Sequence, residues 1–346
     1  MMRNTLLLLA AMLCLGAHAQ DNQTYKPFKN LDLGITGGTT GLGVELTSHI
    51  NPSWDVRTGF TMEPRFKVNM DFHVQVGDES QTAQQRETKF KKMSSMLYDL
   101  TGYKVNNKVV MEGTPKMYNF KLLVDFKPLH DKRWHVTTGF FLGNSEIAYA
   151  ENDKKAMVSL VAVGMYNNLY EKAVNLEPYY ITSDGTYVYL PDDIAQKFTN
   201  NGRMGLHVGT YKHDVYYTED VVDKITGDII HKAGDLKAKA GDYYNMEPDE
   251  NSMVWAKAKA NKFKPYLGIG FMGALDKRDP RWQIGFDAGA LFWGGSPEVK
   301  THDGTDLIHD VKDLKQGVSS YVKLFKLAKV CPVIECRITR TLGRKH

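Results

Sequence analysis

Trp54-Asp55-Val56-Arg57-Thr58-Gly59-Phe60-Thr61-Met62 alternates without interruption. Val56, Thr58, Phe60 and Met62 fall on one side of an extended chain, and Asp55, Arg57, Gly59, Thr61 and the following Glu63 fall on the other. A period of two is the signature of a strand with two unlike faces. Here the apolar face opens on a Trp and the opposite face carries both signs of charge, so the strand separates an oily environment from a strongly polar one.

The same pattern recurs along the chain. Phe120, Leu122, Val124 and Phe126 oppose Asn119, Lys121, Leu123, Asp125 and Lys127. Ile284, Phe286, Ala288, Ala290 and Phe292 oppose Gln283, Gly285, Asp287 and Gly289. Ile334, Cys336, Ile338 and Leu342 oppose Glu335, Arg337, Thr339 and Thr341, with Arg340 breaking the apolar row. Weaker rows start at Leu31, Leu42, Trp134 and Phe263, which brings the strand count to eight. Several apolar rows begin on a ring (Trp54, Tyr118, Trp134, Trp282), as an interfacial aromatic girdle requires. A soluble sandwich also alternates; its core would not accept charges in mid-strand, though its solvent face would, so the ring-bordered apolar rows and the connection lengths tilt the reading toward a membrane barrel.

Connection lengths alternate as well. Asn51-Pro52-Ser53, His130-Asp131-Lys132-Arg133 and Asp276 to Arg281 are short; the intervening links are long, apart from Gly37-Gly38-Thr39-Thr40. Transmembrane barrels have short periplasmic turns and longer outer loops. With eight strands, every short turn and both termini fall on the periplasmic side. The expected fold is therefore an all-β antiparallel transmembrane β-barrel of about eight strands, with large extracellular insertions and a short helix before the last strand. The insertions run from about 74 to 116, with helix-prone Gln81 to Leu97, and from about 151 to 252. The second is long enough to hold its own small fold. In it Met157 to Tyr170 reads as helix and Asp214 to Ile230 as strand, turn, strand around Thr226-Gly227-Asp228. Its tyrosines, among them Tyr179, Tyr180, Tyr187, Tyr189, Tyr216, Tyr217, Tyr243 and Tyr244, offer contact surface. Leu307, Val311, Leu314, Val318 and Phe325 recur at helical spacing, and Pro332 opens the last strand.

The N-terminus has the order of a secretory signal: Arg3, the apolar run Leu6 to Leu15, then Gly16-Ala17-His18-Ala19. The run is shorter than the ~20 apolar residues of a spanning helix. Cleavage is expected after Ala19, leaving residues 20–346 as the barrel domain in the outer membrane. The 346 residues are 42% hydrophobic and 24% charged, which excludes a disordered chain, and a net charge of +4 spread evenly gives no nucleic-acid footprint. Cys14 leaves with the signal. Cys331 and Cys336, five apart in one strand, point to opposite faces and are too distant to join.

These blocks, in order, resemble a family of small Gram-negative outer-membrane β-barrels, the eight-stranded OmpA/OmpW-like class. The resemblance rests on Leu31-Asp32-Leu33-Gly34-Ile35-Thr36-Gly37-Gly38, Gly41-Leu42-Gly43-Val44-Glu45-Leu46, Asn51-Pro52-Ser53-Trp54, Leu123-Val124-Asp125-Phe126-Lys127-Pro128, Thr138-Gly139-Phe140-Phe141 and Lys264-Pro265-Tyr266-Leu267-Gly268-Ile269-Gly270, closing on Pro332-Val333-Ile334. It covers most strands and neither large insertion. Such barrels usually end on an aromatic residue read by the assembly machinery; here Leu342 is followed by Gly343-Arg344-Lys345-His346. The resemblance implies a fold and a location, with membrane lipid and the barrel assembly machinery as partners, and no reaction.

No catalytic, cofactor-binding or metal site is expected. Ser48-His49 is a Ser-His pair at the wrong end for lipid A chemistry, His207 and His213 lack a fixed carboxylate spacing, and Glu247, Asp249 and Glu250 read as a solvated acidic run. The informative polar set is the row assigned to the bore by strand parity: Asp32, Glu45, Asp55, Arg57, Glu63, Arg65, Lys121, Asp125, Asp287, Glu335 and Arg337. An eight-stranded barrel is just wide enough for side chains to fill, so mixed charges there are expected to pair and close it. The expected function is non-enzymatic: a barrel displaying surface loops for an extracellular ligand or for envelope structure. The rival readings are a narrow pore or small-ligand carrier, and a soluble periplasmic β-protein.

Overall fold

The computed structural model describes residues 31–77, 83–222, 227–327 and 329–342; the signal segment and the C-terminal Gly343-Arg344-Lys345-His346 lie outside the described residues. With strands numbered along the whole chain, the barrel comprises β1 (Leu31–Gly38), β2 (Gly41–Asn51), β3 (Trp54–Met62), β6 (Tyr118–Phe126), β7 (Trp134–Gly143), β18 (Phe263–Ala274), β19 (Trp282–Phe292) and β22 (Val330–Thr341). They close in that order, every neighbouring pair antiparallel, and Ile35 opposite Ile338 seals β1 to β22. Closure leaves no unpaired edge, the condition for a sheet in lipid. All eight sequence blocks are barrel strands, and their parity is kept. The β1–β2 link is tight because Gly41 adopts a φ of +95°, with the Met62 carbonyl pressed into the space a Cβ would need.

The connections at residues 52–53, 127–133 and 275–281, together with the two ends of the barrel chain, lie at one end of the barrel. The segments 63–117, 144–262 and 293–329 leave from the other and build a cap. Its strands are β4 (Val68–Val76), β5 (Lys108–Pro115), β8 (Glu146–Asn152), β11 (Met204–Tyr211), β16 (Tyr243–Met246), β17 (Trp255–Lys259), β20 (Glu298–Thr301) and β21 (Val311–Lys312). They form one sheet in the order β16-β11-β4-β5-β8-β17-β20, with β21 also on β11. The three segments are interleaved: Leu206 pairs with Val74, Met111 with Asn152, and Ala258 with Val299. The 151–252 stretch is thus not a fold of its own, since its strands need partners from both other segments.

Four helices accompany the sheet: α1 (Ala83–Thr101), α2 (Met157–Asn175), α3 (Asp192–Asn201) and α4 (Gln316–Leu327). α1 and α4 pack on β4, and α2 packs on α3 and β11. The helix expected from Leu307 begins only at Gln316. Asp306 Oδ1 accepts the amide of Ile308 and Asp313 takes a left-handed φ of 51°, so this stretch turns instead, and Leu307, Ile308 and Val311 enter the cap core from turn and strand. Smaller strand pairs complete the cap: β9 (Tyr180–Ile181) with β10 (Tyr187–Val188), and a ribbon in which β12 (Val215–Tyr216) pairs with β15 (Leu236–Ala238) and β13 (Val221–Val222) with β14 (Ile229–His231). Of the tyrosines in the second insertion, Tyr244 is buried, Tyr217 stacks on His231 at 4.6 Å, and Tyr179, Tyr180, Tyr187, Tyr189 and Tyr216 are exposed.

Candidate functional site: a charged plug inside the barrel

The outer wall fixes what the inside must be. Ile35 and Ile334 are each 64% exposed, and Leu42, Phe120, Leu267, Ile269 and Phe286 stand out with them around the circumference. Water does not tolerate a continuous apolar belt of this extent; lipid does. Rings mark both borders. At the short-turn end Trp54 lies 4.6 Å from Phe126, Trp134 lies 5.2 Å from Phe271, and Arg340 sits over Trp282. At the cap end Phe60 stacks near Tyr118 at 6.3 Å and Phe140 near Phe263 at 5.2 Å. From Trp134 to Leu142 the strand advances roughly 26 Å, the scale of a barrel's lipid-facing band.

Inside, the alternate residues converge. Arg57 is the hub: its Nε is 2.8 Å from Asp125, its Nη2 3.2 Å from Asp287 and its Nη1 3.5 Å from Glu45. Lys121 bridges Glu45 at 2.7 Å and Glu335 at 2.6 Å. Arg337 reaches Glu45 at 3.3 Å and Asp287 at 3.6 Å. Thr137 donates its hydroxyl to Asp125 at 2.6 Å. Strand pairing sets like charges side by side, Asp55 opposite Asp125 and Asp287 opposite Glu335, so the cations are what hold these positions together. All of these charged side chains are buried. Unpaired, each would carry the penalty of an ion taken out of water.

Glycines make the room. A Cβ on Gly285 would lie 2.6 Å from Arg337 Nε, and one on Gly270 would collide with the His135 ring. The long side chains of one wall therefore lie flat against bare backbone of the next.

Of the residues assigned to the bore by parity, Asp32, Glu45, Asp55, Arg57, Lys121, Asp125, Asp287, Glu335 and Arg337 are buried inside the barrel. Glu63 and Arg65 are not part of the network. Both lie beyond Met62, the last residue of β3, in the segment leading to the cap, where strand parity no longer applies; Arg65 is exposed. Three further bore groups lie outside the charge row read from the sequence. His135 Nε2 lies 2.9 Å from Asp287 and 3.2 Å from Arg337 Nη2. His49 lies between two carboxylates, Nδ1 2.7 Å from Asp55 and Nε2 3.0 Å from Asp32, while Lys127 also pairs with Asp55 at 2.6 Å. Lys264 donates to Asn119 Oδ1 at 3.0 Å. Parity alone places His135, between outward Trp134 and Val136, and His49, two residues from Thr47.

Toward the cap the bore turns apolar. Leu123, Phe141, Tyr266, Leu291 and Val333 fill it and belong to the same hydrophobic cluster as the cap residues Val74, Met111, Leu160 and Leu206. Toward the short-turn end a cavity of about 300 Å³ opens, lined by Thr47, His49, Asp55, Asp125, His135 and Arg337 among others.

The remaining candidates are tied up in structure. Both ring nitrogens of His49 face carboxylates, so neither serves Ser48. His207 Nδ1 meets Asn245 Oδ1 at 3.0 Å, and His213 pairs with Asp310 at 3.3 Å. Glu247 pairs with Arg203, and Asp249 accepts the amides of Asn251 and Met253. Among the described residues no cluster of three or more His, Cys, Asp or Glu has metal-binding geometry, and both cysteines are free.

No protein-family model matches the sequence, and no curated protein matches it. Among solved structures the chain is similar to Acinetobacter baumannii CarO2 (13% identity, TM-score 0.35, covering 91% of this chain and 99% of that one). It is also similar to Acinetobacter baumannii CarO (12%, TM-score 0.35, 92% and 99%) and to a major outer membrane protein from Thermus thermophilus (10%, TM-score 0.27, 90% and 98%). At these values the fold assignment rests on the barrel's own surface: a closed antiparallel wall, an apolar belt bordered by rings, and charges turned inward. The chain has the fold of an outer-membrane β-barrel.

Proposed function

We propose that this protein is a non-enzymatic membrane anchor that holds a folded cap at the cell surface, for recognition of an extracellular ligand or for envelope structure, with its bore closed to diffusion. The supporting observation is continuity: the buried ion-pair network occupies the middle of the bore, and the apolar residues above it share one core with the cap. A solute crossing the barrel has to break both. Planar-bilayer recording of the purified, refolded chain tests this. The expected result is no steady conductance; stable unitary steps overturn it. The cavity at the short-turn end favours a second reading, a narrow pore or small-ligand carrier, which those steps would support.

The orientation belongs to the proposal: short turns in the periplasm, cap outside. Export by a signal cleaved after Ala19 and insertion by the barrel assembly machinery complete it. An epitope tag at Gly227, in the exposed ribbon, is expected to be reached by antibody on intact cells. Labelling only after the outer membrane is opened would invert the orientation.

A further inference from the structure

The bore is built one fixed positive charge short, twice, and each time a histidine stands in the gap. At the short-turn end Asp32 and Asp55 share one fixed cation, Lys127, and both carboxylates contact His49. In the middle Glu45, Asp125, Asp287 and Glu335 share three fixed cations, Arg57, Lys121 and Arg337, and Asp287 contacts His135. Among the described residues of the barrel the remaining buried cation, Lys264, sits at the cap end on Asn119 Oδ1 and the Asn144 carbonyl. Both histidines line the same cavity, which opens at the short-turn end.

We propose that one proton, held on His49 between Asp32 and Asp55, latches the short-turn end of the plug, and that it exchanges through this cavity. His49 lies between two carboxylates. A carboxylate oxygen accepts and does not donate, so ring nitrogens 2.7 and 3.0 Å from two carboxylates are both satisfied only in the imidazolium form. The surrounding charges are Asp32 from β1, Asp55 from β3 and Lys127 after β6; Lys132 and Arg133 line the same cavity, with Asp125, His135 and Arg337 deeper. His135 Nε2 lies 2.9 Å from Asp287 and 3.2 Å from Arg337 Nη2, and Asp287 is held as well by Arg57 and Arg337. Proton loss from His49 leaves Asp32 and Asp55 with Lys127 alone, a carboxylate excess that only rearrangement or water entry relieves. The latch is compatible with a sealed or a conducting barrel, so it does not rest on the closed-bore reading.

In linkage terms, the folded chain holds a proton on His49 that the unfolded chain releases above the ordinary histidine value of ~6.5. Stability is then fully present below that pH and falls as pH rises, with the folding equilibrium constant dropping up to about tenfold per pH unit. The test is reversible urea unfolding of the full chain in detergent micelles between pH ~6.5 and ~8.5, the window in which this linkage acts, for wild type and His49→Gln. The substitution is expected to remove up to a factor of about ten per pH unit. A His49→Gln variant that keeps the wild-type slope overturns the proposal. Should the variant fail to refold, nitrogen NMR of histidine-labelled wild type decides. A doubly protonated His49 imidazole about one pH unit above the ordinary histidine value supports the latch, and a neutral tautomer there overturns it.

Discussion

The chain builds two sheets of eight strands, and they are inside-out relative to each other. In the barrel the large apolar residues face outward and ion pairs fill the middle. In the cap the order is the usual one: Val74, Met111, Leu160, Leu206 and Val254 are buried together with Tyr166, Tyr211 and Tyr244, while Tyr179, Tyr180, Tyr187 and Tyr216 face solvent. The difference shows that alternation carries no information about which face is the core; the surrounding medium decides that. It also predicts that the same kind of substitution has opposite consequences in the two regions.

The largest contrast is at buried charge. Arg57→Ala leaves Asp125, Asp287 and Glu45 short of their main partner inside the barrel, and is expected to cost ~3–5 kcal/mol. Arg203→Ala in the cap breaks pairs with Glu171 and Glu247 that remain open to water, and is expected to cost about 1 kcal/mol or less. Urea unfolding in micelles measures both. Equal costs would mean that the bore is hydrated like the cap surface.

Apolar truncation reverses the ranking. Leu160 on α2 is fully buried in the cap, and Leu160→Ala is expected to cost ~2–5 kcal/mol through the cavity it leaves. The loss should appear as earlier protease cleavage of the cap while the barrel keeps its heat-modifiable gel mobility. Simultaneous loss of both would mean that cap and barrel unfold as one unit.

Charge added to the outside separates the two surfaces again. Leu122 on β6 faces lipid between outward Phe120 and Val124, and Leu122→Arg is expected to cost ~2–4 kcal/mol near the midplane. Val222→Arg, on the exposed ribbon of the cap, is expected to stay within about 0.5 kcal/mol of wild type. A neutral Leu122→Arg would remove the lipid assignment of that face.

These contrasts also explain which parts of the molecule can be read in advance. Every barrel strand has two unlike faces, so Trp54–Met62 or Tyr118–Phe126 declares itself by alternation, and parity then assigns Arg57 and Asp125 to the bore. β11, Met-Gly-Leu-His-Val-Gly-Thr-Tyr, is buried along almost its whole length and shows no alternation. Its pairing of Leu206 with Val74 joins two distant stretches of the chain, and nothing local records such a partner. Glu63 and Arg65 fall in the bore only when parity is run past the last strand residue, where the chain has already left the wall. Parity also turns His49 and His135 inward, but a histidine has no fixed sign, so a row read for charges leaves them out; the surrounding carboxylates and cations show what each contacts.

The smallest predicted effect concerns a histidine in the cap and has the opposite sign to that of His49. His302 follows β20, half-buried, with Nε2 2.6 Å from the Glu247 carbonyl oxygen and its ring edge-on to Trp255 at 6.0 Å. Nε2–H donates to that carbonyl, which the neutral ring already does. Burial pushes its pKa below the ordinary histidine value; neighbouring Asp303 and Asp249 pull the other way without reversing the shift. Below pH ~6.5 the unfolded chain therefore binds a proton at this position that the folded cap resists. The cap's stability is fully present above that value and declines as pH falls through it, whereas the bore loses stability as pH rises. Protease sensitivity of the cap in intact vesicles, followed from about one pH unit above the ordinary histidine value to about one and a half below it, should rise on acidification in wild type and rise less in His302→Gln. An identical rise in both would assign the acid sensitivity to another group.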